Sequence, residues 1–102
     1  MELMTKELEK QFPKLYATEN MKLEDVKVIA KFFCPWNEWA WYFTEYDPET
    51  RIFFGFVRGL ENEFGYTSLD EMEAIKGPFG LGIERDLYFA PLSLAEAVEK
   101  PV

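Results

Sequence analysis

The sequence predicts an α+β fold, an antiparallel meander sheet of about four strands with short helices at the N-terminus, after the sheet and at the C-terminus. Three observations carry that expectation. The stretch Trp36 to Tyr66 holds all three tryptophans and most of the other aromatic residues, which pack well on a pleated surface. Two apolar runs within it flank Asp47-Pro48-Glu49-Thr50, where Asp can bond the backbone two residues on and Pro presets φ for a type I turn. Ser68 with Glu71, and Ser93 with Glu96, have the spacing of capping boxes that open helices.

Taken in order, Thr5 is placed to cap a short helix carrying Leu8 and Phe12, closed by Pro13 and expected to lie as a lid over the sheet. Lys14 to Leu23 lacks a clear period and is expected to be an extended connection. Val26 to Phe33 reads as a strand, with Val26, Val28, Ala30 and Phe32 on one face and Lys27, Ile29, Lys31 and Phe33 on the other. Its two lysines suggest an edge or half-exposed position. Cys34-Pro35-Trp36-Asn37 then leads into the aromatic hairpin.

The hairpin pairs Glu38–Tyr46 with Arg51–Arg58. Strict alternation puts Trp39, Trp41 and Phe43 on one side, and Ala40, Tyr42, Thr44 and Tyr46 on the other. In the second strand it divides Ile52, Phe54 and Phe56 from Phe53, Gly55 and Val57. Both sides are largely apolar, so the hairpin is either covered on both faces or leaves an aromatic face for a partner.

Leu60 to Thr67 is the expected fourth strand, where Gly65 marks a bulge or a close backbone approach. Leu69 to Lys76 follows as a helix, with Asp70, Glu71 and Glu73 in its first turns, where the helix dipole tolerates negative charge. Gly77 to Gly82 is a loop. Leu87-Tyr88-Phe89 is a short extended piece ended by Pro91, and the last helix runs from Ser93 through about Val98.

The 102 residues are those of one domain, residues 1–102. An aromatic content of 18% marks an ordered chain, and no apolar run approaches the roughly 20 residues that span a bilayer. The charged amphipathic start points to a cytoplasmic protein with no membrane role. The lone Cys34 has no internal disulfide partner and agrees with a reducing compartment. Net charge is −8, and ten carboxylates stand against four cations between Glu45 and Asp86. An acidic field repels phosphates, so direct nucleic-acid binding is disfavoured and a protein partner with a basic surface is favoured.

With no histidine, Ser-His-Asp and Cys-His catalysis and His-ligated metal sites are excluded. Cys34, with no local base, reads as a small buried residue. The glycine loop lacks the Lys-Ser/Thr ending of a P-loop. Asp25-Val26-Lys27 resembles the carboxylate and lysine of some metal-dependent nucleases, but such a triplet is common by chance. Glu61-Asn62-Glu63 and Glu84-Arg85-Asp86 are the better carboxylate candidates, provided that they converge; otherwise they read as an ion-pair cluster tying the last segment to the sheet. No metal and no cofactor are expected.

The strings LYATE at Leu15 to Glu19, KFFCPWNEWAWYFTEYD at Lys31 to Asp47, FFGFVRGLENEFGYTSLDE at Phe53 to Glu71 and GLGIERDLYF at Gly80 to Phe89 cover nearly the whole chain. Together they resemble a bacterial family catalogued as a domain of unknown function, number 2958. The resemblance implies no activity. It does imply an accessory role in mobile genetic elements, such as plasmids, integrative elements and phages.

Two expectations follow. The first is a non-catalytic binding protein that engages a host or element protein and inhibits a nucleic-acid-binding or defence protein, in the anti-restriction or anti-CRISPR manner. Its candidate contacts are Glu61, Glu63, Asp70, Glu71 and Glu73, with Trp39 and Trp41 as aromatic anchors. The alternative is a small metal-dependent or carboxylate-based enzyme using Glu61, Glu63, Glu84, Arg85 and Asp86 in one pocket. A homodimer formed through the aromatic face is compatible with either.

Overall fold

The computed structural model describes residues 2–99. Strands β1 (Ala30–Phe33), β2 (Ala40–Asp47), β3 (Ile52–Arg58) and β4 (Asn62–Ser68) form the expected antiparallel meander. A fifth strand, β5 (Glu84–Arg85), pairs with β1 and completes the order β4-β3-β2-β1-β5. The extra strand makes β1 an interior strand, so of the two positions its lysines suggest, an edge or a half-exposed strand, only the second holds. Lys31 is accommodated half-buried, 3.8 Å from Asp86 and 5.5 Å from the centre of the Tyr42 ring.

The hairpin turn uses the chemistry read in Asp47. Its Oδ1 accepts from the Glu49 N–H at 3.0 Å, and its Oδ2 from the Thr50 hydroxyl at 2.9 Å. Its carbonyl accepts from the Arg51 N–H at 2.8 Å, so the loop closes a residue later than a type I turn, with Arg51 left-handed at φ 58°.

Three short helices accompany the sheet: α1 (Lys6–Glu9), α2 (Leu69–Ala74) and α3 (Leu94–Glu99). Each is capped as its sequence indicates. Thr5 Oγ1 accepts from Leu8 N–H at 3.1 Å, and Ser68 Oγ from Glu71 N–H at 3.2 Å. Ser93 and Glu96 bond reciprocally, at 2.9 and 3.1 Å. Helices this short are unstable alone, so packing against the sheet holds them.

The first face of the sheet is closed. Phe32, Phe43 and Phe53 are fully buried there, with Phe43 stacked on Phe53 at 4.2 Å between centroids. Leu69 and Met72 of α2, Ile83, and the N-terminal arm through Leu8 and Phe12 cover them. The second face has its own core, in which Leu94 and Ala97 of α3 cover Val28, Ala40, Tyr42 and Phe56. That cover stops short of β4.

Several expectations change. Lys14 to Leu23 is a succession of turns, not an extended connection, and it leads into a 3-10 turn at Leu23–Asp25. Val26 and Val28 do not continue β1: Val28 N–H donates to Leu92 O at 3.0 Å and Leu94 N–H to Val26 O at 2.7 Å. Pairing with the entry to α3 sends these valines to the second core, while Ala30 and Phe32 join the first. The extended piece expected at Leu87 to Phe89 lies upstream, at Glu84–Arg85, and Tyr88 is exposed.

Gly65 pairs with Gly55 in regular register, and a Cβ built on it meets nothing within 4 Å. The close approach is at Gly55, where a Cβ would lie 2.1 Å from the Tyr42 carbonyl oxygen.

Candidate functional site

Strict alternation along β2 would point Glu45 into the closed core beside Trp41 and Phe43. The chain avoids burying a carboxylate there by a β-bulge. Phe43 pairs with Gly55 and Glu45 with Phe54, leaving Thr44 as the extra residue. Everything beyond the bulge changes face. Tyr46 turns into the closed core against Phe53, with ring centroids 4.6 Å apart, and so departs from the face shared by Ala40 and Tyr42. Glu45 turns to the second face, beside Phe54.

There Glu45 is 2% exposed, and a buried carboxylate is costly unless its oxygens are satisfied. The turn at 16–18 supplies the donors. Oε1 accepts from Tyr16 N–H at 2.7 Å, and Oε2 accepts from Thr18 N–H at 2.9 Å and from the Thr18 hydroxyl. Tyr16 adopts the left-handed conformation, φ 70°, in the same turn. Tyr46 N–H donates to Pro13 O at 3.0 Å and ties the start of this loop to the same strand.

The loop and the uncovered part of β3 and β4 enclose a cleft of about 400 Å³. Phe54, Phe64 and Tyr66 form its sheet side, Tyr16, Thr18, Glu19 and Met21 the loop side, and Leu23, Val26 and Leu94 the end towards α3. Phe54 lies 5.1 Å from Tyr66 and 6.4 Å from Phe64, and Tyr16 lies 6.2 Å from Tyr66, between ring centroids. The Tyr66 phenol is pushed above its ordinary pKa, first by a side-chain hydrogen bond with Tyr16, then by desolvation and by nearby negative charge that includes Glu45 and Glu19.

The residues expected to make a site are distributed differently. Glu61 and Glu63 lie at the β4 edge, and Glu84, Arg85 and Asp86 at β5, the opposite edge of the sheet. Four strand spacings of ~4.8 Å separate those edges by roughly 19 Å, too far for paired-carboxylate chemistry. The alternative carboxylate pocket is therefore not assembled. Asp86 instead faces Lys31, and Arg85 Nη1 donates to Leu3 O at 3.2 Å, fastening the N-terminal arm. No group of three or more His, Cys, Asp and Glu side chains among the described residues is placed to hold a metal ion.

Trp41 is buried in the closed core and cannot anchor a partner. Trp39 is half-buried, with its ring against Gly59, where a Cβ would lie 2.5 Å from the indole. Asp70 and Glu73 are exposed but engaged with Arg51, at 2.7 and 2.6 Å. The carboxylates of Glu61, Glu63 and Glu71 are exposed and make no hydrogen bond or ion pair among the described residues. Asp25 and Lys27 are exposed on the 3-10 turn and just beyond it, and burial pushes the Cys34 thiol up, away from the reactive thiolate.

The family described as protein of unknown function (DUF2958) matches residues 3–98. The chain belongs to the DUF2958 family. No curated protein and no solved structure matches it. The matched span of this DUF2958 chain includes every described residue lining the cleft, from Tyr16 to Leu94.

Sequence reasoning overlooked Glu45 and the turn that holds it. A signal was present: one carboxylate inside an otherwise apolar run, in a position that alternation assigns to the core. That conflict requires either a bulge or a buried partner.

Proposed function

We propose that the chain is a small acidic, non-catalytic accessory protein of mobile genetic elements that binds a protein with a basic surface, of the kind that itself holds nucleic acid, and occupies that surface. The observation that carries this reading is the makeup of β4 and the helix after it. Glu61, Glu63 and Glu71 present uncompensated charge there, and Phe64 and Tyr66 are exposed on the same edge strand. Charge steers a basic partner to such a margin, and exposed rings give the contact apolar area.

The net charge of −8 supports the same partner class. The separation of the two acidic groups removes the main support for an enzyme. Among the described residues, no helix is long and apolar enough to cross a membrane.

The test is affinity capture from a nuclease-treated bacterial lysate with the native chain and a Glu61→Lys, Glu63→Lys, Glu71→Lys variant, both checked for folding by circular dichroism. A discrete basic protein retained by the native chain and lost with the variant is the expected result. Equal retention by both chains removes the acidic margin as the binding surface.

A further inference from the structure

The cleft beside β4 combines exposed aromatic rings with carboxylates. Tyr16, Tyr66 and Phe64 line it and are 59%, 54% and 43% exposed, although rings of this size are ordinarily covered. Two carboxylates, Glu19 and Glu45, belong to its lining, and among the described residues no lysine or arginine does. Aromatic faces carry negative partial charge, so rings and carboxylates act in the same direction on any occupant. A phosphate or carboxylate would be repelled, and a purely apolar group would leave the negative field unanswered.

We propose that the cleft is a socket for one arginine side chain of the basic partner, with the guanidinium plane against Tyr66 and Phe64 and its charge answered by Glu19 and Glu45. This rests on the reading that the partner is a basic protein. Arginine fits better than lysine because its guanidinium is planar, stacks on rings and sheds water more readily than an ammonium. Glu45 acts through its charge alone, since its oxygens already accept from Tyr16 and Thr18. Glu19 is exposed at the loop side and supplies the direct contact. The raised Tyr66 pKa agrees in sign, because part of it comes from the negative potential of Glu45 and Glu19. The left-handed turn at Tyr16 fixes the facing wall in advance, so little ordering is required when the side chain enters.

The experiment is an NMR titration of the full chain, following the aromatic ring signals of Tyr16, Phe54, Phe64 and Tyr66. The probes are acetyl-Gly-Arg-Gly-amide, its citrulline counterpart, which keeps the shape and loses the charge, and a hexa-arginine peptide. Expected are saturable shifts of these rings with the arginine peptide and none with citrulline. Half-saturation should rise about tenfold in Tyr66→Leu and severalfold in Glu19→Gln. Both positions are exposed, so both variants should retain the native fold, which circular dichroism checks.

Equal shifts with citrulline, or unmoved rings, overturn the socket. If hexa-arginine moves the amides of Glu61, Glu63 and Glu71 but no cleft ring, the socket falls and the acidic margin stands. If it moves neither set, both readings fall.

Discussion

The two faces of the sheet come from the same aromatic hairpin and reach opposite ends. One is sealed by the N-terminal arm, α2 and Ile83 around three fully buried phenylalanines. The other is closed by α3 over Tyr42 and Phe56 but left bare over Phe64 and Tyr66. Aromatic content alone therefore says nothing about which ring is core. The cover decides, and it comes from short elements distant in sequence. The bulge at Thr44 sharpens the division by exchanging Tyr46 for Glu45 across the sheet.

The contrast breaks most clearly in a matched pair of truncations. Phe53→Ala, in the closed core, should cost about 3–5 kcal/mol in urea unfolding, while Phe64→Ala should cost under about 1.5 kcal/mol, because its ring is part-solvated already. Similar losses at both sites would mean that the second face is covered as tightly as the first.

Glu45→Gln tests the bulge next. It removes the charge from three hydrogen bonds, so about 2–3 kcal/mol should be lost, with faster amide exchange at Tyr16 and Thr18 specifically. Exchange that stays slow at both amides would show that the loop does not depend on this carboxylate.

Tyr46→Phe should have the smallest effect near neutrality. The Tyr46 hydroxyl is buried with no hydrogen-bond partner among the described residues, so its removal leaves stability at pH 7 unchanged or slightly raised. Desolvation pushes this phenol up, only partly opposed by the Arg51 charge. A raised folded-state pKa means stability fully present below the ordinary phenol value of about 10 and lost as pH rises through the folded value. Urea midpoints measured across pH 8–11 should then fall less steeply in the variant; parallel curves would show that Tyr46 is not an alkaline weak point.

Much of the fold was legible because its signals are local. The Asp47 turn, the Thr5 and Ser68 caps and the reciprocal Ser93–Glu96 box each lie within a few residues, and each formed. The family resemblance was legible too, from strings along the whole chain. What escaped depends on long-range pairing. Val26 and Val28 leave the line of β1 because residues near Leu92 capture their backbone, and β5 is defined only by its pairing with β1. The cleft was least legible, because it forms where the turn at Tyr16 meets Glu45, 29 residues later and turned across the sheet by the bulge. Trp41 showed the converse, as a prominent residue that the fold consumes.

Arg58 joins the middle of the chain to its final helix. Its guanidinium donates to Ala97 O at 2.7 Å and Val98 O at 3.1 Å, across 39 and 40 residues of sequence, and answers the negative end of α3. The meander needs only short loop closures, whereas this clasp must wait for a long one. The second face thus shuts only after the meander has formed, and until then Tyr42 and Phe56 stand bare beside the rings that never close. Refolding should show this as a transient rise in binding of a hydrophobic dye that decays as α3 docks. With no such rise, sheet and helix would assemble together.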